Sequence, residues 1–139
     1  MALEQVFVGD EGEPATVEGT KGTWQVDPAA LNQPFHGRTA LLSPFDRLIY
    51  DRKRALDLWD FEYTLEMYKP AAARRWGYFA LPILHHDQLI GKADVIADRK
   101  AGVLRLNAIH QDVKFTKEMT DGVNAEIADL ATWLQLIVS

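Results

Sequence analysis

Gln88-Leu89-Ile90-Gly91-Lys92-Ala93-Asp94-Val95-Ile96-Ala97-Asp98-Arg99-Lys100-Ala101-Gly102-Val103-Leu104-Arg105-Leu106-Asn107-Ala108-Ile109 holds two apolar runs about a polar, glycine-ended turn. Gln88 to Ala97 reads as a strand, Asp98 to Gly102 as the turn, and Val103 to Ile109 as an alternating return strand. Upstream, Trp76 to Leu84 is a more continuously apolar strand. Its Pro82 lacks a ladder N–H and so implies an edge or a bulge, and His85-His86-Asp87 forms its turn. Earlier still, Phe61-Glu62-Tyr63-Thr64-Leu65-Glu66-Met67-Tyr68 alternates with period two, which sets Phe61, Tyr63, Leu65 and Met67 on one face of the clearest strand in the chain. Four sequential strands with short links predict an antiparallel meander or partial barrel. Downstream, Met119, Val123, Ile127, Leu130, Leu134 and Ile137 form a helical stripe that can close over one face of the sheet, with Thr116 as its cap. Gly122 within that helix costs about 1 kcal/mol relative to alanine, which the stripe offsets.

A basic helix precedes the meander. In Leu41-Leu42-Ser43-Pro44-Phe45-Asp46, Ser43 can cap, Pro44 suits the first helical position and Asp46 completes a capping box. The spacing of Phe45, Leu48, Ile49, Ala55, Leu56 and Trp59 predicts one helix over residues 44–58, with Arg47, Arg52, Lys53 and Arg54 on its remaining surface. The N-terminal segment reads as a hairpin, with Ala15 to Glu18 and Thr23 to Val26 flanking a glycine-bounded loop that carries Lys21. Asp27-Pro28 then starts a helical turn, and residues 32–40 read as a connector. The expected organisation is α+β, with a hairpin-bearing segment at residues 1–40 and a β-rich domain at residues 41–139.

The 139 residues suffice for a real core, and 47% hydrophobic with 25% charged residues is ordinary for a globular protein. No apolar run approaches the roughly 20 residues of a spanning helix, and the first residues lack the basic start of a signal peptide; a cytoplasmic location is the expectation. Without cysteine there is no disulfide, thiolate nucleophile or cysteine zinc site. The net charge of −5 is uneven: residues 1–40 carry 2 basic and 6 acidic side chains, residues 41–117 carry 13 and 10, and residues 118–139 carry 0 and 4. A phosphate-binding surface therefore belongs to the middle block.

Few catalytic constellations are available. The serines are Ser43 and Ser139, and neither G-x-G-x-x-G nor a Walker pattern occurs. His85, His86 and Asp87 are the best metal candidates by residue type, but neighbours on a strand point to opposite faces, so no metal site is expected. Basic residues interleaved with aromatics remain: Arg47, Arg52, Lys53 and Arg54 beside Tyr50, Arg74 and Arg75 beside Trp76 and Tyr78, and Arg99 with Lys100 at a hairpin tip. These suit a nucleic-acid backbone, and Lys21 on the N-terminal loop is a further candidate.

Several blocks resemble, in order, the C-terminal part of the AlkZ-like winged-helix DNA glycosylase family. They are Leu41 to Asp46 with Tyr50 to Arg54, Tyr68-Lys69-Pro70-Ala71-Ala72, Trp76-Gly77-Tyr78, Ala80-Leu81-Pro82, Leu89 to Asp94, and Ala97 to Leu104. Gly22-Thr23-Trp24 to Leu31 resembles the wing of the family's last winged-helix domain. The resemblance implies excision of alkylated or crosslinked bases by hydrolysis of the N-glycosidic bond, with DNA as partner and neither metal nor cofactor. The family's Gln-x-Gln or Gln-x-Asp motif belongs to an N-terminal winged-helix region. Gln25-Val26-Asp27 matches its letters but ends the hairpin, where Asp27 is engaged in capping, so no catalytic residue is expected here. The chain reads as a non-catalytic, DNA-contacting module, with packing or self-association expected around Val6, Phe7 and Trp24. The alternative is an interaction or small-ligand module with a pocket lined by Trp76, Tyr78 and Phe79.

Overall fold

The computed structural model describes residues 12–139, which fall into two compact units, one ending at Phe35 and the other spanning His36–Ser139. In the first, strands β1 (Glu13–Ala15) and β2 (Trp24–Val26) pair antiparallel with Ala15 opposite Trp24. The loop is longer than the sequence suggests. Residues 16–18 leave the ladder because Thr20 turns back on Val17, its N–H and hydroxyl both donating to the Val17 carbonyl at 3.1 and 3.0 Å. Trp24 is half-buried and its indole N–H donates to Thr20 Oγ1 at 3.1 Å; Val6 and Phe7 lie outside the described residues. Asp27 caps the 3-10 turn Pro28–Ala30 by accepting the Ala29 N–H at 2.9 Å, as expected.

The second unit is a curled, mixed five-stranded sheet, a half-barrel, with a long helix packed on it. Its order is β3 (Thr39–Leu41), β4 (Ala80–His85), β5 (Gln88–Asp98), β6 (Val103–Gln111) and β7 (Ile137–Val138), antiparallel except for the β6–β7 pair. Strands β4 to β6 form the expected meander. Pro82 sits in a central strand, beside a register shift between Ile83 and Leu84. The outer strands differ from expectation. Thr39–Leu41, read as connector and helix approach, supplies β3, whereas Phe61 to Tyr68 joins no strand. That segment still buries Phe61 and Tyr63 in alternation, but the phase breaks where Glu66 turns inward. Trp76 to Phe79 likewise precede β4 rather than belonging to it.

Helix α1 (Arg47–Tyr50) and helix α2 (Arg52–Trp59) replace the single basic helix. Asp46 is the first cap, accepting the Leu48 N–H at 2.8 Å, while Ser43 Oγ accepts from Phe45 N–H in the turn ahead of it. Asp51 then breaks the helix by taking an extended conformation and capping α2 through the Arg54 N–H at 2.9 Å. Helix α3 (Lys117–Leu134) starts at Thr116, whose hydroxyl accepts the Met119 N–H at 3.2 Å. It ends at Gln135 in a left-handed cap, so Ile137 lies not on the helical stripe but exposed in β7.

Adjacent strand residues feed opposite faces of the sheet. Ile83 and Ile90 pack with Ala93, Leu104, Val123, Ile127 and Ala131 beneath α3. Leu84 and Leu89 meet Ile49, Ala55, Phe61 and Tyr63 on the other face. Among the described residues no helix is long and apolar enough to cross a membrane.

Candidate nucleic-acid interface

The basic residues divide by what their side chains already hold. Arg52 is half-buried, donates to the carbonyls of Ile49 and Pro44 at 2.6 and 3.2 Å, and stacks over the Tyr63 ring at 4.7 Å. Arg54 reaches back to the carbonyls of Arg47 and Leu48 at 2.7 and 3.2 Å. These arginines bind carbonyls in and just ahead of the four-residue helix α1, and burial lowers the Arg52 pKa despite the nearby Tyr63. Lys53 pairs with Asp57 one turn on. Arg75 joins Glu62 at 3.0 Å and lies over Trp76, while Arg74 donates to the Lys69 carbonyl at 3.0 Å and lies over Tyr78.

Arg47, Arg99, Lys100 and Lys21 are exposed and make no side-chain hydrogen bond or ion pair among the described residues. Arg99 and Lys100 stand side by side on one turn. Their turn is tied by Asp98, which accepts the Ala101 N–H and an Arg105 guanidinium N–H, each at 3.0 Å. The Ala101 bond, followed by the Arg105 bond, holds the Asp98 carboxyl below its ordinary range. Gly102 closes the turn at φ 71, a conformation glycine adopts without strain. Two cations therefore stand at the tip of a hairpin whose strands span eleven and nine residues.

Beneath the Arg74–Arg75 segment, Glu66 is 2% exposed and accepts the backbone N–H groups of Arg75 and Trp76, both at 2.7 Å, and Lys69 Nζ at 2.9 Å. Burial alone raises its pKa, but the bonds from Trp76, Lys69 and Arg75 outweigh burial and hold it below the ordinary value. The loop so fastened carries Tyr68, 86% exposed, and the partly exposed Tyr78. Next to it, Lys92 is fully buried between the rings of Phe61 and Trp76, with Nζ 4.2 and 4.6 Å from their centroids and 2.6 Å from Asp112 Oδ2. Trp76 is thus a buried residue packed against Tyr63 and Lys92. Asp94 packs against Gly77, where any Cβ would overlap its carboxylate; Oδ2 accepts from Asn107 at 3.3 Å, and Oδ1 is buried without a partner among the described residues.

A cavity of about 530 Å³ lies elsewhere, lined by Arg38, Thr39, His85, His86, Lys117, Glu118, Asp121 and Gly122. Sequence reading weighed His85 and His86 but missed Arg38, Lys117 and Glu118. No local signal marks them, because the topology alone joins residues 38, 85 and 118.

No solved structure gives a significant match to the chain. The family model described as DNA glycosylase AlkZ-like matches residues 2–133, nearly the whole sequence and every block named above. The chain therefore belongs to the DNA glycosylase AlkZ-like family.

Proposed function

We propose that this chain is a DNA-contacting module of a winged-helix glycosylase acting in alkylation or crosslink repair, and that it grips the duplex without itself cutting the glycosidic bond. The observation that carries the reading is the Arg99–Lys100 pair, exposed at the tip of a tied hairpin in a protein of a DNA glycosylase family. Arg47 adds a third uncommitted cation, and the Tyr68, Arg74 and Tyr78 loop adds aromatic surface of the kind that stacks on bases or sugars. Arg52, Arg54 and Lys53 act first as staples of α1 and α2. The β1–β2 hairpin is read as a wing, with Lys21 as a phosphate contact. The non-catalytic part rests on Asp27: in the one Gln-x-Asp triplet, its carboxylate is taken by the Ala29 N–H.

The test is incubation of the chain with a short duplex carrying an alkylated base, with binding followed by fluorescence polarisation and base release by strand scission at abasic sites. Binding without scission is expected. Scission abolished by an Asp27→Asn or Gln25→Ala substitution would overturn the non-catalytic reading, and absence of binding at low salt would favour an interaction module with no DNA role.

A further inference from the structure

The β4–β5 connection turns at His86, whose φ of 55 is left-handed. That conformation cancels the usual alternation of neighbouring side chains, so the imidazoles of His85 and His86 stand with ring centroids 4.2 Å apart. The first turn of α3 passes beside them, with Glu118 Oε1 3.2 Å from His86 Nε2. One ligand atom from each of His85, His86 and Glu118 lies within 4.8 Å of the other two. Two ligands held at about 2.1 Å by a tetrahedral ion are about 3.4 Å apart, so the His86–Glu118 spacing already suits a coordinated pair.

We propose that His85, His86 and Glu118 form a Zn²⁺ site that ties the β4–β5 turn to the start of α3. Two imidazoles and one carboxylate are a borderline donor set that favours zinc over magnesium or calcium. The supports are in place. Buried His85 is held by Thr39, with Oγ1 2.9 Å from Nδ1, and Gly37 is required beside His86, because a Cβ there would overlap its ring. The cavity leaves room for water at the fourth position. Its two bordering cations are compensated, Arg38 by Glu126 at 3.7 Å and Lys117 by Asp121. The positive end of α3 opposes a cation only weakly against three direct ligands. Asp87, the carboxylate adjacent in sequence, is not among them; Glu118 takes its place from 32 residues away.

The experiment is calorimetric titration of the untagged full chain with Zn²⁺, alongside its thermal midpoint with and without the ion. One ion per chain and a raised midpoint are expected. His86→Asn, which retains a residue suited to left-handed backbone, and Glu118→Gln should each weaken binding roughly tenfold or more, while His36→Asn, an exposed histidine outside the trio, should bind as the parent does. Neither His86→Asn nor Glu118→Gln removes a core side chain, so loss of binding is separable from loss of fold. No binding by the parent, binding unchanged in both variants, or stabilisation by inorganic phosphate in place of Zn²⁺ would each overturn the proposal.

Discussion

The Trp76 backbone N–H donates to Glu66 Oε2 at 2.7 Å across a ten-residue loop. With the Arg75 N–H at the same distance, this contact converts an apparent strand residue into the anchor of an exposed aromatic and basic loop. Glu66→Ala is expected to lower stability by about 1–3 kcal/mol for the buried donors left without an acceptor, measured by urea denaturation. Because the folded pKa is depressed, this stability is present above the unfolded value, about 4.3, and is lost as pH falls through the lower folded value. The parent should therefore lose stability on acidification below that point more steeply than Glu66→Gln. Equal acid sensitivity would contradict the role.

Tyr63 carries the opposite sign. Burial, together with the Glu66 carboxylate and against the nearby Arg52, pushes its phenol up to about 12, and its hydroxyl donates to the Ala80 carbonyl at 2.7 Å. A raised folded pKa means that stability is full below the unfolded value near 10 and is lost as pH rises through about 12. In an ultraviolet titration one tyrosine should ionise late, and Tyr63→Phe should remove that phase.

Lys92 and Asp112 are unequal partners, with side chains 1% and 32% exposed. Asp112→Asn leaves a buried ammonium without its counter-charge, whereas Lys92→Met fills the space between Phe61 and Trp76 and leaves a carboxylate that water can reach. Asp112→Asn should cost about 3–5 kcal/mol and Lys92→Met distinctly less, with thermal or chemical denaturation as the check. The reverse order would show that packing, not charge, governs the site.

Gly122→Ala tests helix propensity against packing. Propensity alone favours alanine by about 1 kcal/mol, but the added Cβ would overlap Thr39 Oγ1 on β3. Net destabilisation of about 1–3 kcal/mol is expected, with partial recovery in the Gly122→Ala, Thr39→Ala double variant.

Local chemistry was the legible part of this fold. Asp27 and Thr116 cap as their spacing indicates, since a cap is decided within three residues. The β5–β6 hairpin followed from its turn and alternation. Phe61 to Tyr68 shows the limit: alternation reports which side chains face inward, not whether a neighbouring strand supplies ladder bonds, and the inward turn of Glu66 needs donors from residues 75 and 76. The break at Asp51 was hidden because apolar spacing continues across it, while the carbonyls it exposes are satisfied by Arg52 and Arg54. Charge density does not reveal these contacts, which commit Arg52 and Arg54 to the fold, whereas Arg99 and Lys100 make no side-chain bond among the described residues. The His85, His86 and Glu118 trio depends on one positive φ and a 32-residue return, neither written in local pattern.

The central claim is that the β5–β6 hairpin tip contacts DNA phosphates. The decisive measurement is the salt dependence of duplex binding by fluorescence polarisation for the parent chain, Arg99→Ala/Lys100→Ala, and Lys53→Ala as a paired-cation control. The account predicts a steep loss of affinity with salt in the parent and a slope reduced by about 2 in the double variant, with Lys53→Ala close to the parent and all three equally stable. A double variant that binds with the parent's affinity and slope would contradict it.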